Sequence, residues 1–262
     1  MTREEKQTLL SADDPPPVHI INPAGTSLFL LLGDHAGNCV PRRLRNLGLD
    51  RADLSRHIAL DIGVSLLGRH MAKALDATFI EQRYSRLVVD CNRDPSSPES
   101  IAAMSDETII PGNAGLDQRD RQVRQEEILH PYQTAIDAAL CTRERHGLRT
   151  VLISLHSFTP VLAGKARPWD LGVLHDRDPS FAYRLLAELE RSGRTVGDNQ
   201  PYRMDATDYT IPSHAYPRRL RYAEIEVRQD LLLTEFDVAA MARLLAEALV
   251  RSERGKVTPS RA

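Results

Sequence analysis

Two histidines stand out because each ends an apolar run. In "SLFLLLGDHAGN" a mostly apolar stretch, Ser27 to Leu32, stops at Asp34-His35 and passes into Ala36, Gly37 and Asn38. In "VLISLHSFTPV" (151–161) a second apolar run ends on His156, followed by small hydroxyl residues. Short apolar runs bounded by Gly and Pro read as buried strands, and open α/β sheets put their sites outside the carboxyl ends of the strands. Two histidines at the tips of two parallel strands could share one metal ion. Neutral imidazole is the commonest nitrogen ligand for zinc, and a carboxylate is the usual third ligand. Taken singly, either histidine is equally a satisfied polar residue at a strand–loop junction.

Charged residues gather in two further segments. "RYSRLVVDCNRDP" (83–95) surrounds a strand-like run, 86–91, with Arg83, Arg86 and Arg93. On a strand Asp90 and Asn92 would project to one face and Cys91 to the other. Arginine forks pair bidentately with carboxylates, so this cluster suits an anionic substrate or a developing oxyanion; structural ion pairs with Asp90 and Asp94 are the plainer alternative. "YAEIEVRQDLL" (222–232) alternates, with Glu224, Glu226 and Arg228 on one face and Ala223, Ile225 and Val227 on the other. A carboxylate there could be the general base that takes a proton from metal-bound water, or one rung of a salt-bridge ladder on an edge strand. His130 in "HPYQTAI" and His214 in "SHAYPRR" stand beside turn residues, where they could orient ligands or cap helices.

These residues need a scaffold that brings them together. Strand-like segments at 27–32, 86–91, 150–156, 170–176 and 222–233 alternate with helix-like segments at 57–76, 119–147 (Pro131 a candidate break), 180–193 and 237–252. In the last, Val238, Met241, Leu245 and Leu249 recur at helical spacing and predict one buried stripe. Strands separated by helices imply crossover connections. The expected fold is a single α/β domain over 18–252, its central sheet mainly parallel or mixed, with helices on both faces. A polar arm, 1–17, ends in three prolines, and 253–262 reads as a frayed tail. The polar stretches 94–118 and 194–220 exceed ordinary connection lengths, as site-building loops do.

Composition narrows the function class. The 262 residues carry a net charge of −2 and only 5% aromatics, so neither nucleic acid nor an anionic membrane is an expected partner. Three widely spaced cysteines suggest neither a disulfide framework nor a thiolate zinc site. The N-terminus lacks the apolar core of a signal peptide, and no run approaches the ~20 residues of a membrane span, so the expected compartment is the cytoplasm. Nothing points to a particular oligomeric state. Dinucleotide, P-loop, zincin and nucleophile-elbow motifs are all absent.

Together the segments "GDHAGNCVP", "RHIALDIG", "SRLVVDCNRDP", "IPGN", "HPYQTAI", "SLHSFTPV", "VGDNQPY", "DYTIPSHA" and "IEVRQDLL" resemble, in order over about 33–232, the N-formylglutamate amidohydrolase family. The resemblance implies a phosphorylase/hydrolase-like (zinc-exopeptidase-like) fold, distantly related to zinc carboxypeptidases and aspartoacylases, and metal-dependent hydrolysis of a small anionic N-acyl amino acid such as N-formylglutamate. It implies His35 and His156 as zinc ligands, Glu226 as general base and Arg86 as the group polarising the scissile carbonyl. Asn92 and Arg93 would hold a substrate carboxylate, with Arg83 and His214 as further substrate contacts. Such relatives commonly place a glutamate three residues after the first histidine, and here that position is Asn38. Asp61, in "ALDIG", is the expected substitute as third ligand. Two alternatives remain open: a carboxylate-binding or regulatory protein with a decayed metal site, and a cell-wall peptide amidase, which would call for export.

Overall fold

Alternation along three strands sets the layers. In the computed structural model, which describes residues 8–254, Phe29 and Leu31, Val151, Ile153 and Leu155, and Ala223, Ile225 and Val227 all face one apolar layer. Leu30, Leu32, Leu152 and Tyr222 face another. Both faces are covered, as a mostly parallel sheet requires.

The described residues form eleven strands. Seven make one sheet: β1 (Val18–Ile21), β2 (Phe29–Gly33), β3 (Thr78–Gln82), β6 (Val151–Phe158), β9 (Leu171–Leu174), β10 (Val196–Asp198) and β11 (Arg221–Arg228). The rest are two short hairpins, β4 (Met104–Ser105) with β5 (Thr108–Ile109) and β7 (Val161–Leu162) with β8 (Lys165–Ala166). The sheet order is β1-β3-β2-β6-β11-β9-β10. Strands β3, β2, β6 and β11 run parallel, while β1 and β9 are antiparallel to their inner neighbours. The sheet is therefore mixed, and β11 lies inside it rather than at an edge.

Helices α1 (Val64–Leu75), α4 (Ser180–Glu190) and α6 (Glu235–Arg254) cover the first face. The stripe of α6 is buried as the spacing predicts, with Leu245 and Leu249 fully enclosed. The second face is covered by α3 (His130–Arg145), α5 (Thr210–Arg218) and irregular chain around 84–91. Between α2 (Gln118–Arg124) and α3 a π-turn, Gln125–Leu129, keeps the helix running, and Pro131 follows it directly in the first turn of α3.

Several expectations are corrected. Residues 86–91 are not a strand, although Val88 and Val89 are buried. Their backbone is held by other means: the Leu87 carbonyl accepts from Asn113 Nδ2 (2.8 Å), the Val88 carbonyl from Arg124 Nη1 (3.1 Å), and the Asp90 amide donates to the Ser100 carbonyl (2.7 Å). A strand not expected from the sequence, β3, lies parallel to β2 on the side opposite β6. The helix expected from 57 starts at Val64, because the Asp61 amide is drawn to the His35 carbonyl (2.9 Å) and Gly63 takes a left-handed conformation (φ 84°). The long stretch 194–220 contains β10 and α5.

Of the terminal segments, 1–7 and 255–262 lie outside the described residues. Within the arm, Leu9 is buried and the amides of Leu9 and Leu10 donate to the Glu127 carboxylate.

Candidate metal and active site

Along β6 and β11 the face that begins apolar turns polar toward the strand ends. Leu152 is followed at two-residue steps by Ser154 and His156, and Tyr222 by Glu224 and Glu226, with Glu226 in register with His156. His35 lies just past β2. The turn beyond it is tight: a Cβ on Gly37 would lie 2.1 Å from the Arg83 carbonyl oxygen, so only glycine lets these segments meet. The Cys39 amide donates to that same carbonyl (3.0 Å).

The two imidazoles meet edge to face, their centroids 5.0 Å apart. Each is anchored through Nε2. For His35 that nitrogen is 2.7 Å from Asp90 Oδ1; for His156 it is 3.0 Å from the Ser154 hydroxyl and 3.4 Å from Asp34 Oδ2. Both Nδ1 atoms turn toward Asp61 Oδ2, at 3.5 Å from His35 and 2.8 Å from His156. Ligand atoms of His35, Asp61 and His156 all lie within 4.8 Å of one another, and those of His156, Glu224 and Glu226 do likewise. His35 Nδ1 is buried with no hydrogen-bond partner, and so are Glu224 Oε2 and Glu226 Oε2. Such orphaned atoms are costly in a folded interior unless something fills the space between them. Two imidazole nitrogens and a carboxylate form a donor set suited to zinc, so the residues present fit the ion. Asn38 is turned away, its amide donating to the Leu54 carbonyl (3.0 Å), and the acid that faces both rings is Asp61.

Charge is tightly coupled here. Burial alone would raise Asp61, but His35 and His156 hold it well below the usual carboxylate range. Burial and Arg86 press the His35 imidazole down, and Asp90 and Asp61 overcome both. Burial likewise presses His156 down, and Glu224, Asp34 and Asp61 raise it well above its usual value. Burial pushes Glu224 and Glu226 up to about 8 despite the pull of His156. Arg86 donates through Nε (3.1 Å) and Nη2 (2.7 Å) to Asp90 and through Nη1 to Asp61 (3.3 Å). A guanidinium has five N–H groups, so one on each Nη remains, and the side chain is 26% exposed on the cavity.

These groups open into a cavity of about 740 Å³ that also takes residues from the β4–β5 hairpin and from Tyr202 to Asp208. Gly172 shapes that wall: a Cβ there would lie 2.0 Å from the Gln200 carbonyl oxygen. Of the residues singled out in the sequence, His35, Asp61, Arg86, Asn92, Arg93, His156 and Glu226 all line the cavity. Asn92 Oδ1 is spent on the amides of Tyr209 (3.0 Å) and Thr210 (2.9 Å), pinning the start of α5. Arg93 uses Nη1 on the Asn92 carbonyl (3.0 Å) and Asp208 (3.4 Å). Arg83 and His214 lie outside the lining; His214 Nε2 is 2.7 Å from Gln133 Oε1, behind α5. Sequence reasoning did not pick out Asp34, Ser154 or Tyr202. Ser154 was accessible in principle, since it shares the face of His156 two residues on.

A sequence model of the N-formylglutamate amidohydrolase family matches residues 27–233. The chain belongs to the N-formylglutamate amidohydrolase family. Among solved structures, a gene product of Agrobacterium tumefaciens is 34% identical with a TM-score of 0.91, the match covering 94% of this chain and 98% of that one. The N-formylglutamate amidohydrolase from Ralstonia eutropha JMP134 is 20% identical with a TM-score of 0.61, covering 92% and 98%, and so shares the fold. No curated protein matches the chain. Membership of the N-formylglutamate amidohydrolase family supports an amidohydrolase, and the polar strand tips of β2, β6 and β11 bring histidines and carboxylates together in one cavity. No helix among the described residues is long and apolar enough to cross a membrane.

Proposed function

We propose that this protein is a zinc-dependent amidohydrolase that cleaves the amide bond of a small, anionic N-acyl amino acid such as N-formylglutamate. The observation that carries the reading is the convergence of two Nδ1 atoms on Asp61, each imidazole anchored through its opposite nitrogen. His35, Asp61 and His156 would hold the ion. When bound, zinc supplies Lewis acidity, polarising the acyl carbonyl and making water a stronger acid.

The chain's own groups do the rest. Glu226 takes a proton from the attacking water and returns it to the leaving nitrogen, so the amide and one water become a carboxylic acid and an amine. Burial suits it to this, because a base works best with a pKa near the working pH, and Glu226 is pushed up to about 8. The free N–H groups of Arg86 donate to the oxygen as negative charge develops, a contribution of ~3–4 kcal/mol per donor. Arg93, whose Nε and Nη2 make no hydrogen bond among the described residues, grips the amino acid's carboxylate and fixes the reacting geometry.

Protein reconstituted with one equivalent of zinc is expected to release formate from N-formylglutamate, or another acyl acid from a related N-acyl amino acid. Stoichiometric zinc with no hydrolysis across a panel of N-formyl, N-acetyl and longer N-acyl amino acids refutes the proposal.

A further inference from the structure

Asp34 is the most deeply enclosed acid near the site, its side chain fully buried, and the chemistry above does not use it. A buried carboxylate is costly unless paired and hydrogen-bonded. Its oxygens are both satisfied: the Ser154 hydroxyl donates to Oδ2 (2.7 Å) and the Thr210 hydroxyl to Oδ1 (2.5 Å). Among the described residues its ion-pair partner is His156, with Nε2 3.4 Å away, and no lysine or arginine pairs with it. Besides these two hydroxyls that of Tyr132 stands nearby, and among the described residues the one ring that Asp34 and Ser154 face together is His156.

The hydrogen-bond directions fix what is held. Ser154 has one proton, and at 2.7 Å it goes to Asp34, so toward His156 the hydroxyl oxygen accepts and Nε2 must donate. Glu224 Oε1 lies 3.8 Å from the same nitrogen, beyond hydrogen-bond reach. In the neutral ring that a metal requires, a proton on Nε2 leaves the His156 lone pair on Nδ1, the nitrogen that faces Asp61. We propose that Asp34, acting through Ser154, is a positioning residue that locks His156 in the Nε2–H tautomer and so presents Nδ1 to the metal ion. This rests on the metal reading above. Asp34 thereby does for His156 what Asp90 does by direct contact for His35. Thr210 ties the arrangement to α5, since its own amide is fixed by Asn92.

The test is metal affinity and coordination, measured by chelator competition and by the visible spectrum of the cobalt(II) form. Asp34→Asn is expected to weaken zinc binding 10–100-fold, the usual effect of losing an outer partner of a metal-bound histidine, and to change the cobalt spectrum. Thr210→Val, which removes only the hydroxyl, is expected to weaken binding several-fold, whereas Thr210→Ser stays near wild type. A folded Asp34→Asn protein with wild-type zinc affinity and spectrum overturns the inference. Should Asp34→Asn fail to fold, Ser154→Ala decides, with a loss of about tenfold expected and unchanged affinity overturning it. Wild-type protein that binds no stoichiometric metal removes the metal reading itself, and this inference with it; normal wild-type binding with indifferent variants removes this inference alone.

Discussion

Replacing Glu226 with glutamine should make the protein more stable and nearly inactive. Glu226 is 4% exposed, and one of its oxygens is buried without a partner. Burial raises its pKa from 4.5 to about 8. At pH 7 the metal-free folded state therefore holds a proton that the unfolded chain has released, whereas a cation beside it favours the carboxylate that acts as base. At 1.36 kcal/mol per pH unit over the interval from 4.5 to 7, this costs the wild type about 3 kcal/mol. Glutamine has the same shape and no charge, but leaves an amide N–H unpaired at a cost of about 1 kcal/mol. The net gain is about 2 kcal/mol, or a rise in Tm of roughly 4–8 °C for a chain of this size. The sign follows from the direction of the shift: an acid raised on folding makes stability fall as pH climbs from 4.5 to 8, and below pH 4.5 both states are protonated. The advantage of Glu226→Gln should therefore vanish by about pH 4.5. Loss of the general base should cost 10²–10⁴-fold in kcat. Thermal unfolding of chelator-treated protein at pH 4.5, 6 and 7, with turnover of the zinc form, measures both. A variant that melts at or below wild type at pH 7, or that keeps its turnover, refutes the assignment of Glu226 as a desolvated base.

Three further outcomes are expected. Asp61→Asn removes the acid toward which both Nδ1 atoms turn and should weaken zinc by more than the 10–100-fold that an outer partner costs; dialysis followed by metal analysis reads it. Arg93→Ala should raise KM about 10–100-fold with little change in kcat, because a charged hydrogen-bond pair contributes about 1.5–3 kcal/mol; equal KM values would place the substrate carboxylate elsewhere. Gly172→Ala drives a methyl group to 2.0 Å from the Gln200 carbonyl, which should cost about 1–3 kcal/mol in denaturant titrations and lower activity by displacing the wall that carries Tyr202.

The strands that carry the site were legible because their apolar runs end abruptly in polar residues. β2 and β6 match the segments expected as strands to within two residues at either end, β11 overlaps its segment but ends earlier, at Arg228, and the stripe of α6 follows simple periodicity. What escaped was chain whose burial depends on distant partners. β3 reads "TFIEQ", and its Glu81 looks out of place in a buried strand until His19, Ser65 and Arg69 are seen to pair with it. α5 contains Pro212 and Pro217, which argue locally against a helix. The opposite error occurred at 86–91, where Val88 and Val89 imitate a strand. Burial there is maintained by Arg124 and Asn113, whose side chains take the carbonyl groups that a neighbouring strand would have taken.

The same distinction divides the site. Residue types and order pointed to His35, His156 and Glu226, since each stands at the end of, or alternates along, a recognisable strand. Which nitrogen each histidine presents could not be read that way. On the proposal above it is set by acids and hydroxyls remote in the chain: Asp90 lies 55 residues from His35, and Asp34 lies 120 from Ser154 and 176 from Thr210. A histidine offers a metal only the nitrogen that its other hydrogen bond leaves free. In the proposed metal site the direction of the two lone pairs would thus be a property of the assembled sheet and of α5 docked against it. On the proposed reading an Asn38 in place of glutamate need not disable the site, because the acid required would be Asp61, which the turn before α1 delivers and whose amide is fixed on the His35 carbonyl.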